Sequence, residues 1–250
     1  MRELRDADQL RQEAHGLKEG GGTGMLISGG CDEEGRIDIL PYVDAIREAR
    51  GELGLLMNIH AGKVSQKEAQ ALALSTADVF SLDVHQDPAV IEGPLHRAGG
   101  KEAYISSLDA LLDAGVEVVP HITVGLSPDD ALSSVEMLSG KGVRRTVVLV
   151  LIPTPGTPIC GRPMPNDDDV LEVVDMLMQE GIEPIMGCMR PRGNHYLEIE
   201  CLKKGVSTIA LPSRKTVDWA RGNGYEVQEV PLCCALSDRW PLPPDADAGA

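Results

Sequence analysis

Short continuous apolar runs alternate with amphipathic stretches along most of the chain. The runs at residues 25–28, 55–60, 79–84, 117–124, 146–152, 184–187 and 208–211 read as strands buried on both faces, because they lack the in-out alternation of a half-solvated sheet. Between them, residues 39–50, 66–75, 102–114, 128–139, 167–180, 195–204 and 215–223 carry apolar positions at helical spacing. A further helix over 1–19 ends at the glycines 20–22, and Pro41 suits the first turn of the helix at 39–50. Ser127-Pro128-Asp129-Asp130 predicts a capped helix start with acids in its first turn. Residues 226–230 are expected as one more short strand.

Seven strands, each joined to the next by a helix, predict parallel pairing with right-handed crossovers. The expected fold class is therefore α/β, a (βα)8-type TIM-like barrel missing its first strand, since the chain opens with a helix that feeds the run at 25–28. One domain over 1–236 and a disordered Pro- and Asp-rich tail at 237–250 complete the expectation.

Composition narrows the partners. The formal charge of -16 sets a negative field that repels phosphates, which argues against nucleic acid and anionic membrane surfaces. No run is apolar enough for a membrane span, and residues 1–12 do not resemble a signal peptide, so a cytoplasmic protein is expected. With one Phe and two Trp, the core has to be built from aliphatic side chains.

In a parallel barrel the chemistry sits at the carboxyl ends of the strands. Those ends carry Ser28, Gly29, Gly30 and Cys31; Asn58 and His60; Asp83 and His85; His121, Thr123 and Gly125; a proline-rich segment at 153–158; Cys188; and Ser213 with Arg214. A strand-end Asn or Asp commonly caps the following helix and a lone histidine is commonly structural, but so many polar groups on one rim point to a site. Among the six cysteines, Cys160 and Cys201 read as inert thiols, whereas Cys31, Cys188, Cys233 and Cys234 follow strand-like segments and are candidate soft-metal ligands. Their spacing matches no local metal signature.

The segments LISGG (26–30), VPHITVGL (119–126) and LVLIPTPGTPI (149–159) resemble, in this order, the radical S-adenosylmethionine superfamily in its biotin-synthase-like branch. LISGGCD, IMGCMRPRG (185–193), LPSRK (211–215) and CCAL (233–236) are similar to biotin-synthase-related proteins that include the two-protein lipoyl synthase of archaea. The resemblance implies S-adenosylmethionine and a [4Fe-4S] cluster as cofactors. It places Ser28, Gly29 and Gly30 at the methionine end of the cofactor and Asn58 and Asp83 at its ribose or carboxylate. Val124 and Gly125 then lie beneath the adenine, with Pro153, Thr154, Pro155, Gly156 and Thr157 beside it. Cys31, Cys188, Cys233 and Cys234 become candidates for an auxiliary cluster and sulfur donor. The implied partners are a small-molecule or lipoyl-carrier-protein substrate and a second radical S-adenosylmethionine protein.

The superfamily's CxxxCxxC cluster loop is absent from this sequence. The resemblance thus implies an N-terminally incomplete chain whose Met1 is an internal methionine, inactive in reductive cleavage as it stands. Two alternatives remain open: a non-catalytic barrel or partner subunit that keeps the scaffold, and a cluster-free enzyme using His121 and Asp83 as acid and base.

Overall fold

The computed structural model describes residues 3–240. The chain order is α1 (Ala7–Glu19), β1 (Gly24–Ile27), α2 (Val43–Gly51), β2 (Leu56–His60), α3 (Gln66–Ala73), β3 (Val79–Asp83), α4 (Pro88–Glu92), α5 (Gly100–Asp113) and β4 (Val118–Val124). It continues with α6 (Asp130–Leu138), β5 (Arg145–Val150), α7 (Asp167–Gln179), β6 (Glu183–Met186), α8 (His195–Lys204), β7 (Thr208–Ile209) and α9 (Arg214–Gly222). Two 3-10 turns, Leu40–Tyr42 and Cys234–Arg239, precede α2 and follow α9.

All seven strands pair in parallel in the order β1-β2-β3-β4-β5-β6-β7, with no pairing between β1 and β7, so the sheet is an open TIM-like barrel. The strand periodicity sorts the apolar residues into two layers. Met57, Ile59, Phe80, Leu82, Ile122, Val124, Val148, Val150 and Met186 face outward and share one core with the helices. Leu56, Val79, Val119, Val147, Leu149 and Ile185 face inward and pack on Ala235 and Leu236. Gly187 continues the inward face where space is tightest: a Cβ there would stand 2.4 Å from Leu149 Cδ2 and 2.6 Å from Val147 Cγ1.

Local sequence signals set the helix starts. Ser65 with Glu68 and Asn166 with Asp169 form reciprocal capping boxes, and Asp6, Asn194 and Ser213 cap α1, α8 and α9. At α6 the expectation changes. The Asp130 N–H donates to Ser127 Oγ, but the Asp130 side chain is buried and turns to the preceding loop, accepting from the backbone N–H groups of Gln86 and Asp87.

Residues 226–230 form no strand. They lead instead to a segment that closes the inside of the barrel, where Thr23 Oγ1 donates to Pro231 O and Leu232 packs on the inner core. The tail expected to be disordered from residue 237 is ordered through residue 240. Asp238 pairs with the buried Arg145 at 2.8 Å, and Arg239 pairs with Glu117. These ion pairs hold the segment beside the partly buried Trp240. The remainder of that tail, 241–250, lies outside the described residues. No described helix is long and apolar enough to cross a membrane.

Candidate functional site

The inward face of β2, β3 and β4 changes from apolar to polar toward its carboxyl end. On β2 the inward residues are Leu56, Asn58 and His60; on β3, Val79, Ser81 and Asp83; on β4, Val119, His121 and Thr123. Register aligns them, with His60 beside Ser81 and Asp83 beside His121. The result is two polar layers above an apolar floor.

The lower layer is fully buried. Ser81 Oγ donates to Asn58 Oδ1 at 3.0 Å, and Asn58 Nδ2 donates to Cys233 Sγ at 3.5 Å. Interaction with the adjacent Cys234 thiol lowers Cys233, while the same interaction and burial raise Cys234, which leaves Cys233 the more acidic of the pair.

The upper layer opens to the mouth. Asp83 is half-exposed there; His60 Nε2 lies 3.4 Å from its Oδ2 and His121 Nδ1 lies 3.9 Å from its Oδ1. The two imidazoles meet edge to face, with ring centroids 5.0 Å apart. Burial pushes the Asp83 carboxyl up, but the His60 interaction and the nearby His121 and His85 outweigh it and bring the group down to about 2. Burial lowers His121 to about 4, so it is a neutral imidazole near pH 7. For His60, burial lowers the value and Asp83 more than compensates, raising it.

Above this layer lies a cavity of about 130 Å³ whose walls include Cys31, Lys63, Arg97 and Tyr104. The loop carrying Cys31 is tied across the mouth. Arg97 donates from Nη2 to Cys31 Sγ at 2.8 Å and from Nη1 to Asp32 O at 2.9 Å, while Arg36 bridges to Gly62. His85 meets Tyr104 edge to face and is held by a hydrogen bond between its Nδ1 and Asp130 Oδ2 at 2.8 Å.

The residues expected at the cofactor divide in three. Ser28, Gly29 and Gly30 at the end of β1, Asp83 at the end of β3, Gly125 after β4 and residues 153–157 after β5 all lie on the same rim and reach its surface. Asn58 is on the correct strand but fully buried, and its hydrogen bonds go to Ser81 and Cys233. Val124 turns its side chain into the helix layer, leaving only backbone toward the rim. Gly125, at φ +103, is required locally, because a Cβ would come within 2.8 Å of the Pro165 ring.

The rim is open at Gly30 and along the loop at 153–157. A Cβ on Gly30 would meet nothing within 4 Å, and the loop at 153–157 is folded on itself by Thr157 Oγ1 donating to Thr154 O at 2.7 Å, leaving its proline rings exposed. It does not fit a catalytic [4Fe-4S] cluster. The sequence contains no CxxxCxxC, and among the described residues the one group of three metal-ligand side chains within mutual reach is His60, Asp83 and His121, with no cysteine in it. Cys31 and Cys188 are exposed on the rim while Cys233 and Cys234 lie inside the barrel.

Sequence reasoning passed over three groups. Asp130 looked like a helix-start acid. Arg190, in the segment IMGCMRPRG, is buried; it donates to Gly187 O and Ala210 O at 2.6 Å each and pairs with buried Glu198 at 2.5 Å. His60 was one rim residue among many. The signal that could have singled it out was the recurrence of polar side chains two residues apart, near the ends of three consecutive strands.

No family model matches the sequence. The chain is similar to 7,8-didemethyl-8-hydroxy-5-deazariboflavin synthases of two archaea. It is 23% identical over 227 residues to that of Methanosarcina barkeri, covering 82% of this chain and 66% of the relative. It is 24% identical over 206 residues to that of Methanosarcina acetivorans, covering 75% and 58%. The chain therefore spans less than two thirds of the length of each. Among solved structures it resembles HydG, a maturase of the [FeFe]-hydrogenase (TM-score 0.64, 17% identity, 87% of this chain and 52% of that one). It also resembles methylornithine synthase PylB (0.64, 14%, 92% and 76%). A third likeness is to Streptococcus suis SuiB bound to S-adenosylmethionine (0.57, 14%, 77% and 45%). The fold is one TIM-like barrel architecture shared by all.

Proposed function

We propose that this chain is the barrel of a radical S-adenosylmethionine protein and binds S-adenosylmethionine across its C-terminal rim. The observation that carries the reading is positional: the three superfamily-like segments end at β1, β4 and β5 of one open parallel barrel, on one rim. The fold likeness to SuiB, whose structure holds S-adenosylmethionine, supports it. So does the sequence likeness to the deazariboflavin synthases.

In this reading the exposed backbone at Ser28, Gly29 and Gly30 receives the aminocarboxyl end, because polar backbone groups without an intervening Cβ can approach a zwitterion closely. The prolines at 153 and 155 flank the adenine. When a catalytic cluster is bound it supplies the electron for reductive cleavage. The residues of this chain do not fit that cluster, so its own contribution is binding and orientation.

The finer reading is a biotin-synthase-related protein acting in sulfur insertion on an octanoyl-type chain carried by a lipoyl carrier protein, alongside a second radical S-adenosylmethionine protein. Cys188 on the rim and the adjacent pair Cys233 and Cys234 are its candidate sulfur-bearing groups. Alignment to the deazariboflavin synthases over most of the chain favours a second substrate class, a flavin-like aromatic precursor. A scaffold-only partner subunit retains the same binding rim without turnover.

Equilibrium dialysis against S-adenosylmethionine tests the shared core of these readings. The expected result is one ligand per chain, with affinity reduced more than about tenfold, or about 1.4 kcal/mol, by Gly30→Val. That substitution places bulk in open space and leaves the fold intact. Absence of binding, or binding indifferent to Gly30→Val, overturns the proposal.

A further inference from the structure

We infer that His60, Asp83 and His121 form a site for one divalent d-block cation of the zinc class, open to the barrel mouth. Each side chain offers one ligand atom, and the three atoms lie within 4.8 Å of one another. Asp83 stands 3.4 Å from His60 Nε2 and 3.9 Å from His121 Nδ1. Two atoms bound at about 2.1 Å to one tetrahedral ion are about 3.4 Å apart. A charge-assisted nitrogen–carboxylate hydrogen bond is shorter, about 2.7–2.9 Å. The His60 separation is that of two ligands around one ion, and the His121 separation is about half an ångström wider than it.

A second observation comes from His121, whose Nε2 is buried with no hydrogen-bond partner. A neutral imidazole has one N–H and one lone pair. With the proton on Nε2, the Nδ1 lone pair faces a carboxylate oxygen. With the proton on Nδ1, the nearest Asp83 oxygen is 3.9 Å away and the Nε2 lone pair is unmet. Asp83 thus completes His121's hydrogen bonding in neither tautomer; an ion at Nδ1 takes the lone pair that faces Asp83, with the proton on the buried Nε2.

Two imidazoles and one carboxylate select zinc, iron(II), cobalt(II) or nickel(II) over magnesium and calcium, which prefer all-oxygen sites. Three protein ligands leave a coordination position free, as catalytic rather than structural sites do. That position has an approach through the half-exposed Asp83 and the adjoining cavity. Cys233 sits one layer lower and is engaged with Asn58, so the donor set is nitrogen and oxygen. The inference does not rest on S-adenosylmethionine binding.

The test is titration of cobalt(II) into the intact chain under a thiol-free reductant. The expected result is one cobalt(II) per chain, with the visible bands of a four-coordinate ion, no thiolate-to-cobalt charge-transfer band, and displacement by zinc(II). His60→Ala and His121→Ala each weaken uptake by at least about a hundredfold, the upper end of what losing an outer-shell partner alone causes. Cys233→Ser leaves uptake unchanged. Circular dichroism of the metal-free variants checks folding, and His60→Gln replaces His60→Ala if that variant unfolds. Failure to bind one equivalent, a charge-transfer band abolished by Cys233→Ser, or uptake indifferent to both histidine substitutions overturns the site.

Discussion

Arg190 and Glu198 are a buried ion pair, satisfied except at Arg190 Nε, which is buried without a hydrogen-bond partner. Arg190 reaches three backbone carbonyls, of Gly187, Ala210 and Leu211, and Glu198, and Glu198 accepts from the Ser213 N–H and the Thr216 hydroxyl. Glu198→Ala leaves a guanidinium buried without its counter-charge and is expected to lower unfolding free energy by about 3–5 kcal/mol in a denaturant titration. Burial raises the Glu198 carboxyl, but the Thr216 and Arg190 interactions outweigh it and leave it below its ordinary value of 4.5. A folded-state value below the unfolded one means the stabilisation is fully present above the ordinary carboxylate range and is lost as pH falls through the folded value. Unfolding free energies of the parent and Glu198→Gln, measured across that window, are expected to converge toward acid. A difference that stays constant with pH contradicts this assignment.

At the scale of elements, the inner face depends on a segment far along the chain. Leu236 is fully buried in the inner core that β2 to β6 line, and Leu236→Ala is expected to cost about 2–5 kcal/mol, read as a lowered midpoint in urea. Gly187→Ala drives a methyl into Val147 and Leu149 and is expected to cost about 1–3 kcal/mol by overpacking. Strands β2 to β5 were legible because they are buried on both faces over most of their length and so read as unbroken apolar runs, and the half-buried β1 and β7 were read from their place in the alternation. Boundaries shifted by a residue or two, as at β7, which stops at Ile209 where Leu211 turns to φ 48 with its carbonyl held by Arg190 and Arg192. Helix α4 is a five-residue element inside a proline-punctuated loop, too short to show a period. The ordered segment through residue 240 was unreadable because its partners, Arg145 and Glu117, lie over ninety residues away in sequence.

For the whole molecule, the barrel collects onto one rim what the sequence scatters over more than a hundred residues. The glycines of LISGGCD, Asp83, Gly125 and the loop at 153–157 could be placed there from strand order alone. The His60, Asp83 and His121 constellation could not, because it depends on the pairing register that sets Asp83 beside His121 and brings His60 one strand over. Val124 marks the same limit from the other side, since a one-residue step along a strand decides whether a side chain meets the lumen or the helices, and Asn58 faces the lumen but lies one layer below the rim. The account's central claim is that S-adenosylmethionine lies across this rim. Hydrogen–deuterium exchange of the chain, with and without saturating S-adenosylmethionine, tests it most directly. Slowed exchange at residues 28–30, 125–126 and 154–157 together is the predicted result, and unchanged exchange at these segments, or protection confined to the outer helices, contradicts it.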